Sequence, residues 1–318
     1  MVGHDAAWRE WRAALAAGRM HHAWILAGRQ GLGKASFARA AAVELVAEPG
    51  GQALAPEAHP DILLLAPTPA GDEEERKRDD GKPFKLRRNI TVDEVRALQR
   101  RLTTRPTLGA RRAVIIDAAD DLEPSAFNAL LKTLEEPGQG TVLLLVAHRL
   151  GRLPATIRSR CRVLRFGDLD AASLGKVLAA AEPGLSPAVS TAAQAAAAGA
   201  PGAALAFVAR DLAAAQALMA RMADSGDANF ALRGALLDAV GQRPDRERQL
   251  AVLETARMVL VVAAAGAERE RQGRIVEAHA ALSQRIAQAP THNFDPATLV
   301  FEIGGLLASV GDPRDAAG

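Results

Sequence analysis

The sequence predicts an α/β half followed by an all-helical half, within a chain of 318 residues. In the first half, short apolar runs of strand length alternate with stretches of helical periodicity, which is typical of a parallel sheet covered by helices on both faces. After residue 166 no further strand pattern follows, and apolar residues recur at helical spacing. Because a single core seldom grows beyond about 250–300 residues, a chain of this length also predicts more than one domain.

The elements of the first half follow from these runs. The predicted strands are residues 23–27, 62–66, 113–116 and 141–147. The predicted helices are residues 34–47, 91–102 and 124–135. Residues 67–88 are rich in charge, Pro and Gly, so we expect a solvated loop there.

Helix breakers divide the second half. Prolines and glycines delimit a small helical unit at residues 167–210, and longer amphipathic helices follow at residues 211–224, 228–241, 246–265 and 268–287. A last helix is predicted to begin at Pro296, with Asp295 as its N-cap. The predicted domains are therefore residues 1–166, 167–210 and 211–318.

Composition excludes several classes of protein. One cysteine cannot form a disulfide framework or a Cys-based zinc site, which indicates a reducing, cytoplasmic compartment. The uncharged residues 183–209 hold three prolines and three glycines, so no transmembrane helix and no membrane partner are expected.

The net charge of +2 hides a segregation of charge along the chain. Residues 96–112 contain six arginines and no acid, and residues 141–166 contain six more and no acid. From residue 171 onward, 13 bases face 15 acids. The first arginine cluster fits either a solvated helix face or a DNA-facing surface, and the sequence leaves this open.

A glycine-rich loop carries the strongest local motif. Gly28, Gly31 and Gly33 follow the first predicted strand, and Lys34 begins the next helix. This strand, loop and helix order is that of a P-loop, in which backbone N–H groups and a lysine hold phosphate oxygens. A simple tight turn is the alternative. Asp117, at the end of the third predicted strand, is the acid that a P-loop site expects.

Two groups that hydrolysis needs are missing from this site. Ala35 occupies the position of the hydroxyl that binds Mg²⁺, and Ser36 lies about 100° further round the helix. Ala118 stands where a glutamate would orient the attacking water. The sequence therefore predicts no hydrolysis and no required cofactor, while residual binding of ATP, ADP or phosphate stays open.

Two further segments resemble a known family. Residues 127–137 read Phe-Asn-Ala-Leu-Leu-Lys-Thr-Leu-Glu-Glu-Pro, and residues 158–162 read Arg-Ser-Arg-Cys-Arg. Together with His-His-Ala at 21–23, His-Pro-Asp at 59–61 and Gly-Ala-Pro-Gly-Ala-Ala-Leu at 199–205, they resemble the AAA+ subunits of bacterial sliding-clamp loaders. The resemblance covers most of the chain.

The resemblance implies an AAA+ P-loop module, a three-helix lid and a carboxy-terminal helical collar that packs with neighbouring subunits. The implied partners are the gamma/tau and delta subunits in a hetero-pentamer, the sliding clamp, and primer–template DNA within the assembled loader. The chain would then belong to the DNA polymerase III holoenzyme and act in replication in the cytoplasm.

The resemblance also implies a role for Arg160. In these loaders the arginine of the Ser-Arg-Cys motif reaches the ATP site of the adjacent subunit, where such a trans-acting arginine can contribute about 10³–10⁵ in rate. The degenerate ATP machinery resembles that of a non-hydrolysing subunit. The alternative is an ATP-hydrolysing motor of the gamma/tau type, for which Lys34 would be essential.

Other departures from active family members point to the same conclusion. His148, or a neighbour, replaces the polar residue that senses the γ-phosphate, and Pro201-Gly202 stands where the lid would offer an arginine. The four-cysteine zinc module of many relatives is replaced by a short loop at residues 48–56, so no metal is expected. His21 and His22, being adjacent, are not expected to face one site.

Overall fold

The computed structural model describes residues 2–48, 50, 54–82, 84–289 and 294–311. The chain forms two compact units, Met1–Gly167 and Asp168–Gly318. The predicted division into three domains stays a prediction, and its first boundary lies one residue from this division. The loop at residues 48–56 lies partly outside the described residues.

The first unit is built on a five-stranded sheet in which all strands are parallel. Its strands are β1 Ala23–Ala27, β2 Ile62–Leu65, β3 Arg112–Asp117, β4 Thr141–Ala147 and β5 Arg162–Arg165. Their order across the sheet is β2-β3-β4-β1-β5. β1 and β4 are buried along their whole length, as expected for strands covered on both faces. The predicted α/β class with a parallel sheet is confirmed.

The sequence reading missed β5, because this edge strand carries no apolar run. Only Leu164 of its residues is fully buried, while Arg162 and Arg165 are exposed. The Arg162 guanidinium lies over the ring of Trp24 in β1, 4.9 Å from the ring centroid, and pairs with Glu10 at 2.7 Å. Charged side chains at the ends of a short edge strand remove the hydrophobic pattern that identifies a strand.

The described residues of the first unit also form six helices: α1 Asp5–Ala16, α2 Lys34–Val46, α3 Asp72–Asp79, α4 Val92–Leu102, α5 Pro124–Glu135 and α6 Ala155–Arg158. The three predicted helices correspond to α2, α4 and α5. A capping box defines the start of α4, since Thr91 and Glu94 bond to each other's backbone N–H. A different signal marks the start of α5, since proline, which favours the first position of a helix, is its first residue.

The expectation of a loop over residues 67–88 is wrong for α3. Its first turn is acidic, from Asp72 to Glu75, and its last turn is basic, from Arg76 to Arg78, which matches the helix dipole at both ends. Lys77 also pairs with Glu73 and Glu74, each at 2.8 Å. No residue of α3 is buried, so charge patterning rather than packing specifies this helix.

The second unit is helical throughout its described residues. Its helices are α7 Ala171–Ala181, α8 Pro187–Ala197, α9 Pro201–Ala209, α10 Ala213–Ser225, α11 Ala231–Val240, α12 Arg246–Ala264, α13 Arg269–Gln288 and α14 Pro296–Ala308. They share one apolar core. Asp295 caps α14 by accepting a hydrogen bond from the backbone of Thr298 at 2.8 Å.

No single described helix is long and apolar enough to cross a membrane. The helices α9 and α10 reach that length and apolar character only as a pair, which is bent by 106°.

A buried ion pair joins the start of β3 to the start of β2. Asp61 accepts hydrogen bonds from the backbone of Thr107 at 2.7 Å and Leu108 at 2.8 Å, and its carboxylate lies 3.5 Å from Arg112. Burial alone would raise the pKa of Asp61, but these N–H donors and the guanidinium lower it. The guanidinium also donates to the carbonyls of Arg101, Thr104 and Arg105. The His-Pro-Asp segment therefore anchors the loop between α4 and β3.

Replacing Arg112 by Met is expected to lower the free energy of unfolding by about 3–5 kcal/mol, because the Asp61 carboxylate would stay buried without its partner. Arg111→Met is the matched control, since Arg111 is only partly buried, and a change within about 0.5 kcal/mol is expected there. Urea denaturation of both variants measures the difference. Equal losses would show that the ion pair does not stabilise this loop.

Candidate functional site

The glycine loop connects the carboxyl end of β1 to α2. The Gly28 N–H donates to the carbonyl of Ala147 at the end of β4, at 3.2 Å. A Cβ on Gly28 would lie 2.5 Å from the Phe166 carbonyl oxygen, so close packing excludes a side chain there. Gly31 and Gly33 both have φ of 82°, a left-handed conformation that favours glycine. The loop thus has the backbone that a phosphate site requires.

Lys34 is the first residue of α2, and only 2% of its surface is exposed. Its Nζ donates a hydrogen bond to the backbone carbonyl of Arg29 in the same loop, at 2.7 Å. Burial lowers the pKa of Lys34 to about 8, although the charges of Asp120 and Asp117 oppose this shift. The predicted phosphate-binding amine is therefore held by its own loop and balanced by two nearby carboxylates.

Sequence reasoning did not assign Asp120 to the site. Asp120 is 4% exposed, and its two carboxylate oxygens accept hydrogen bonds from the backbone of His148 at 2.9 Å and of Arg149 at 3.1 Å. Because β3 and β4 are neighbouring parallel strands, the residues that follow their carboxyl ends lie side by side. A second acid three residues after Asp117 was the signal in the sequence.

The side chain of His148 lies in the same group of charges. Burial lowers the pKa of His148, the positive charge of Lys34 lowers it further, and Asp120, Asp117 and Asp121 act in the opposite direction. Its ring Nδ1 is buried without a hydrogen-bond partner among the described residues. A neutral imidazole therefore occupies the position after β4 where the family resemblance expects a γ-phosphate sensor.

The site fits phosphate better than it fits magnesium and hydrolysis. Gly28, Gly31, Gly33 and Lys34 would hold phosphate oxygens through backbone N–H groups and one amine. Ala35 has no oxygen for a metal ion, and Ser36 is exposed on α2. Ala118 is buried and has no carboxylate to orient a water. Among the described residues, no group of three or more His, Cys, Asp or Glu side chains could hold a metal ion.

Arg160 lies in the short connection between α6 and β5. Its Nη2 pairs with Oε1 of Glu135, the last residue of α5, at 2.8 Å. Its Nη1 donates to the carbonyl of Thr156 in α6 at 3.0 Å. The side chain is 38% exposed. The two segments that carry the family resemblance, residues 127–137 and 158–162, are therefore in direct contact through this ion pair.

Arg160 and the chain's own glycine loop lie at opposite ends of the parallel strands. Arg162, at the start of β5, pairs in register with Trp24, near the start of β1, and the strands are parallel. A rise of about 3.3 Å per residue puts Gly28 about 13 Å beyond Trp24 along the strand. Arg160 precedes Arg162 and so lies on the amino side of the sheet, whereas phosphate would bind on the carboxyl side.

Cys161 directly precedes β5 and His21-His22 directly precedes β1, so they lie at the opposite end of the strands from the glycine loop. Burial raises the pKa of the Cys161 thiol to about 12, so it stays protonated. The rings of His21 and His22 stack with centroids 4.4 Å apart, and the expectation that they do not face one site stays a prediction. They precede β1, outside the strand, and His21 Nδ1 donates a hydrogen bond to the carbonyl oxygen of Ala23 at 2.8 Å.

The structure also shows which arginines of residues 96–112 are exposed and could contact a partner. Arg112 is buried in the ion pair with Asp61, so it is not available to a partner. Four others are exposed: Arg96, Arg100, Arg101 and Arg105. They belong to α4 or to the loop after it, and the choice between a solvated face and a DNA-facing surface stays open.

A parallel sheet of order β2-β3-β4-β1-β5 with a glycine loop and lysine after β1 defines an AAA+ P-loop module. A family profile described as "DNA polymerase III, delta subunit" matches residues 3–170, more than half of the chain. The chain therefore belongs to this family of clamp-loader subunits.

The curated relatives agree with this assignment. DNA polymerase III subunit delta' of Pseudomonas aeruginosa is 37% identical over 151 residues, which are 44% of this chain and 41% of that protein. The tau subunit of Escherichia coli is 31% identical over 176 residues, 54% of this chain and 25% of its own length. The matches thus span less than half of either relative.

A solved structure shows the same fold over nearly the whole chain. The gamma subunit-related protein of Thermotoga maritima has a TM-score of 0.55 and 16% identity, and the match covers 95% of this chain and 98% of that one. At this identity the likeness shows the fold alone.

The low pKa of Lys34 predicts a pH-dependent stability. Its pKa is about 8 in the folded chain against an ordinary 10.5, so between these pH values the unfolded chain binds a proton that the folded chain has lost. Stability due to Lys34 then rises with pH across that window. Relative to Lys34→Met, the wild-type free energy of unfolding is expected to rise by up to about 3 kcal/mol from about pH 8 to 10.5.

Urea denaturation of both proteins at several pH values measures this difference, and the comparison cancels every other titrating group. A difference that stays constant from pH 8 to 10.5 would contradict the buried, desolvated lysine.

Proposed function

We propose that this chain is the non-hydrolysing, delta-prime-type subunit of the DNA polymerase III clamp loader, and that it lends Arg160 in trans to the ATP site of a neighbouring gamma/tau subunit. One observation carries this proposal. Arg160 and the chain's own glycine loop lie at opposite ends of the parallel strands. The guanidinium is therefore proposed to contact a phosphate that another subunit binds. Its planar fork and permanent charge suit that task.

The degenerate nucleotide site supports the non-hydrolysing part of the proposal. Ala35 and Ala118 replace the two groups that bind magnesium and orient water, and Lys34 is engaged with its own loop and the nearby carboxylates. Without these groups, bound ATP or phosphate would contribute structure rather than turnover. Zinc has no part in the proposed function.

The proposed assembly is a hetero-pentamer with gamma/tau and delta subunits that loads the sliding clamp onto primed DNA in the cytoplasm. The helical second unit would supply the lid and the collar that packs with neighbouring collars.

Arg160→Ala is expected to leave assembly with gamma/tau and delta intact and to lower ATP turnover at the site that it faces by at least about tenfold, because the charge opposite the γ-phosphate is lost. Arg160→Lys should be nearly as slow, since lysine lacks the fork. Arg158→Ala is the matched control, because Arg158 is an exposed arginine of the same motif. Steady-state ATPase and clamp-loading rates of the reconstituted complex measure the effect, and a normal rate with Arg160→Ala would refute the assignment.

The isolated chain is expected to show no ATP turnover, with or without DNA and clamp, because its site lacks a metal-binding hydroxyl and a catalytic glutamate. Lys34→Ala should therefore leave the measured rate unchanged. Stimulated turnover that Lys34→Ala abolishes would instead establish the alternative, an ATP-hydrolysing gamma/tau-like motor. Equilibrium binding of labelled ATP to the same two proteins separates residual binding from turnover.

A further inference from the structure

We propose that Glu135 is a positioning residue, which holds the Arg160 guanidinium in the orientation needed to meet a phosphate on the neighbouring subunit. This inference rests on the proposed function of Arg160. Glu135 ends α5, and its Oε1 lies 2.8 Å from Nη2 of Arg160. The carboxyl end of α5 also carries the negative end of the helix dipole, which favours a cation there.

The two contacts of Arg160 involve both terminal nitrogens of the guanidinium and leave other donors open. A guanidinium has five N–H groups. Nη1 donates one of them to the Thr156 carbonyl at 3.0 Å, and Nη2 forms an ion pair with Glu135 Oε1 at 2.8 Å. The remaining N–H groups can donate to phosphate oxygens. A guanidinium restrained by one hydrogen bond and one ion pair loses less freedom when it binds a phosphate than one that is free to rotate.

The exposure of the pair determines the size of the expected effect. The side chains of Arg160 and Glu135 are 38% and 52% exposed, so water screens their attraction. An ion pair of this kind changes the population of one side-chain geometry by about two- to fivefold. Glu135 is therefore expected to tune how often Arg160 is correctly oriented, and not to decide whether the chain folds.

The adjacent acid provides a matched control. Glu136 follows Glu135 directly, is exposed, and makes no ion pair within the described part of the chain. Glu135→Gln and Glu136→Gln remove the same charge from neighbouring positions. Only the first change removes a carboxylate from Arg160, so a difference between the two reports the contact itself rather than the local charge.

The experiment is a comparison of ATPase kinetics in the reconstituted complex with wild-type chain, Glu135→Gln, Glu136→Gln, Arg160→Ala and the double variant Glu135→Gln/Arg160→Ala. Glu135→Gln is expected to lower kcat at the ATP site that Arg160 faces by about two- to fivefold, with KM for ATP at that site within about twofold, because the interaction acts on the transition state. Glu136→Gln should match wild type. In the Arg160→Ala background, Glu135→Gln should have no further effect, since its route is lost.

The outcomes separate the two proposals. If Arg160→Ala has normal kinetics, the proposed function fails. If Arg160→Ala is slow but Glu135→Gln behaves like Glu136→Gln, or increases kcat, or still lowers kcat in the double variant, the positioning role of Glu135 is overturned while the role of Arg160 stands. Thermal melting of the isolated variants confirms that each is folded.

Discussion

The parallel register of the sheet is the constraint on which the rest of the site depends. All five strands run in one direction. The carboxyl ends of β1, β3 and β4 therefore lie on one side of the sheet, and the amino end of β5 lies on the opposite side. The glycine loop, Lys34 and Asp120 lie at the carboxyl ends of the strands. Arg160 and Glu135 lie at the amino ends. A single chain therefore carries its glycine loop and Arg160 at opposite ends of the strands, an arrangement that the proposed action of Arg160 on a neighbouring subunit requires.

At the carboxyl ends of the strands the glycine loop has the backbone of a P-loop, and Ala35 and Ala118 stand where a metal-binding hydroxyl and a glutamate are expected. The glycines retain the left-handed backbone and close packing that the loop needs. Lys34 stays buried at an electrostatic cost that Asp120 and Asp117 partly offset. Asp120 in turn is held by two backbone N–H groups at the end of β4. These contacts connect the loop to the residues that follow β3 and β4.

The sequence predicted those features that local patterns encode. β1 and β4 were predicted with their observed limits, because continuous apolar runs identify buried parallel strands. Gly28, Gly31, Gly33 and Lys34 form the predicted loop, while the role that the resemblance implies for Arg160 stays a prediction. Features that depend on contacts distant in the chain were missed. Asp120 joins the site only because β3 neighbours β4, Arg112 becomes buried only because Asp61 lies beside it, and the Arg160–Glu135 pair forms only when α5 and α6 pack together.

Arg160 is proposed to act on a nucleotide bound by another subunit. A structure of the assembled loader, with a transition-state analogue of ATP hydrolysis bound to its ATPase subunits, would give the distance between the Arg160 guanidinium and the phosphates. The Arg160 Nη atoms are expected to lie within about 3 Å of the γ-phosphate mimic on the neighbouring subunit. An assembled, analogue-bound complex in which Arg160 faces solvent, or approaches the glycine loop of its own chain, would contradict this expectation.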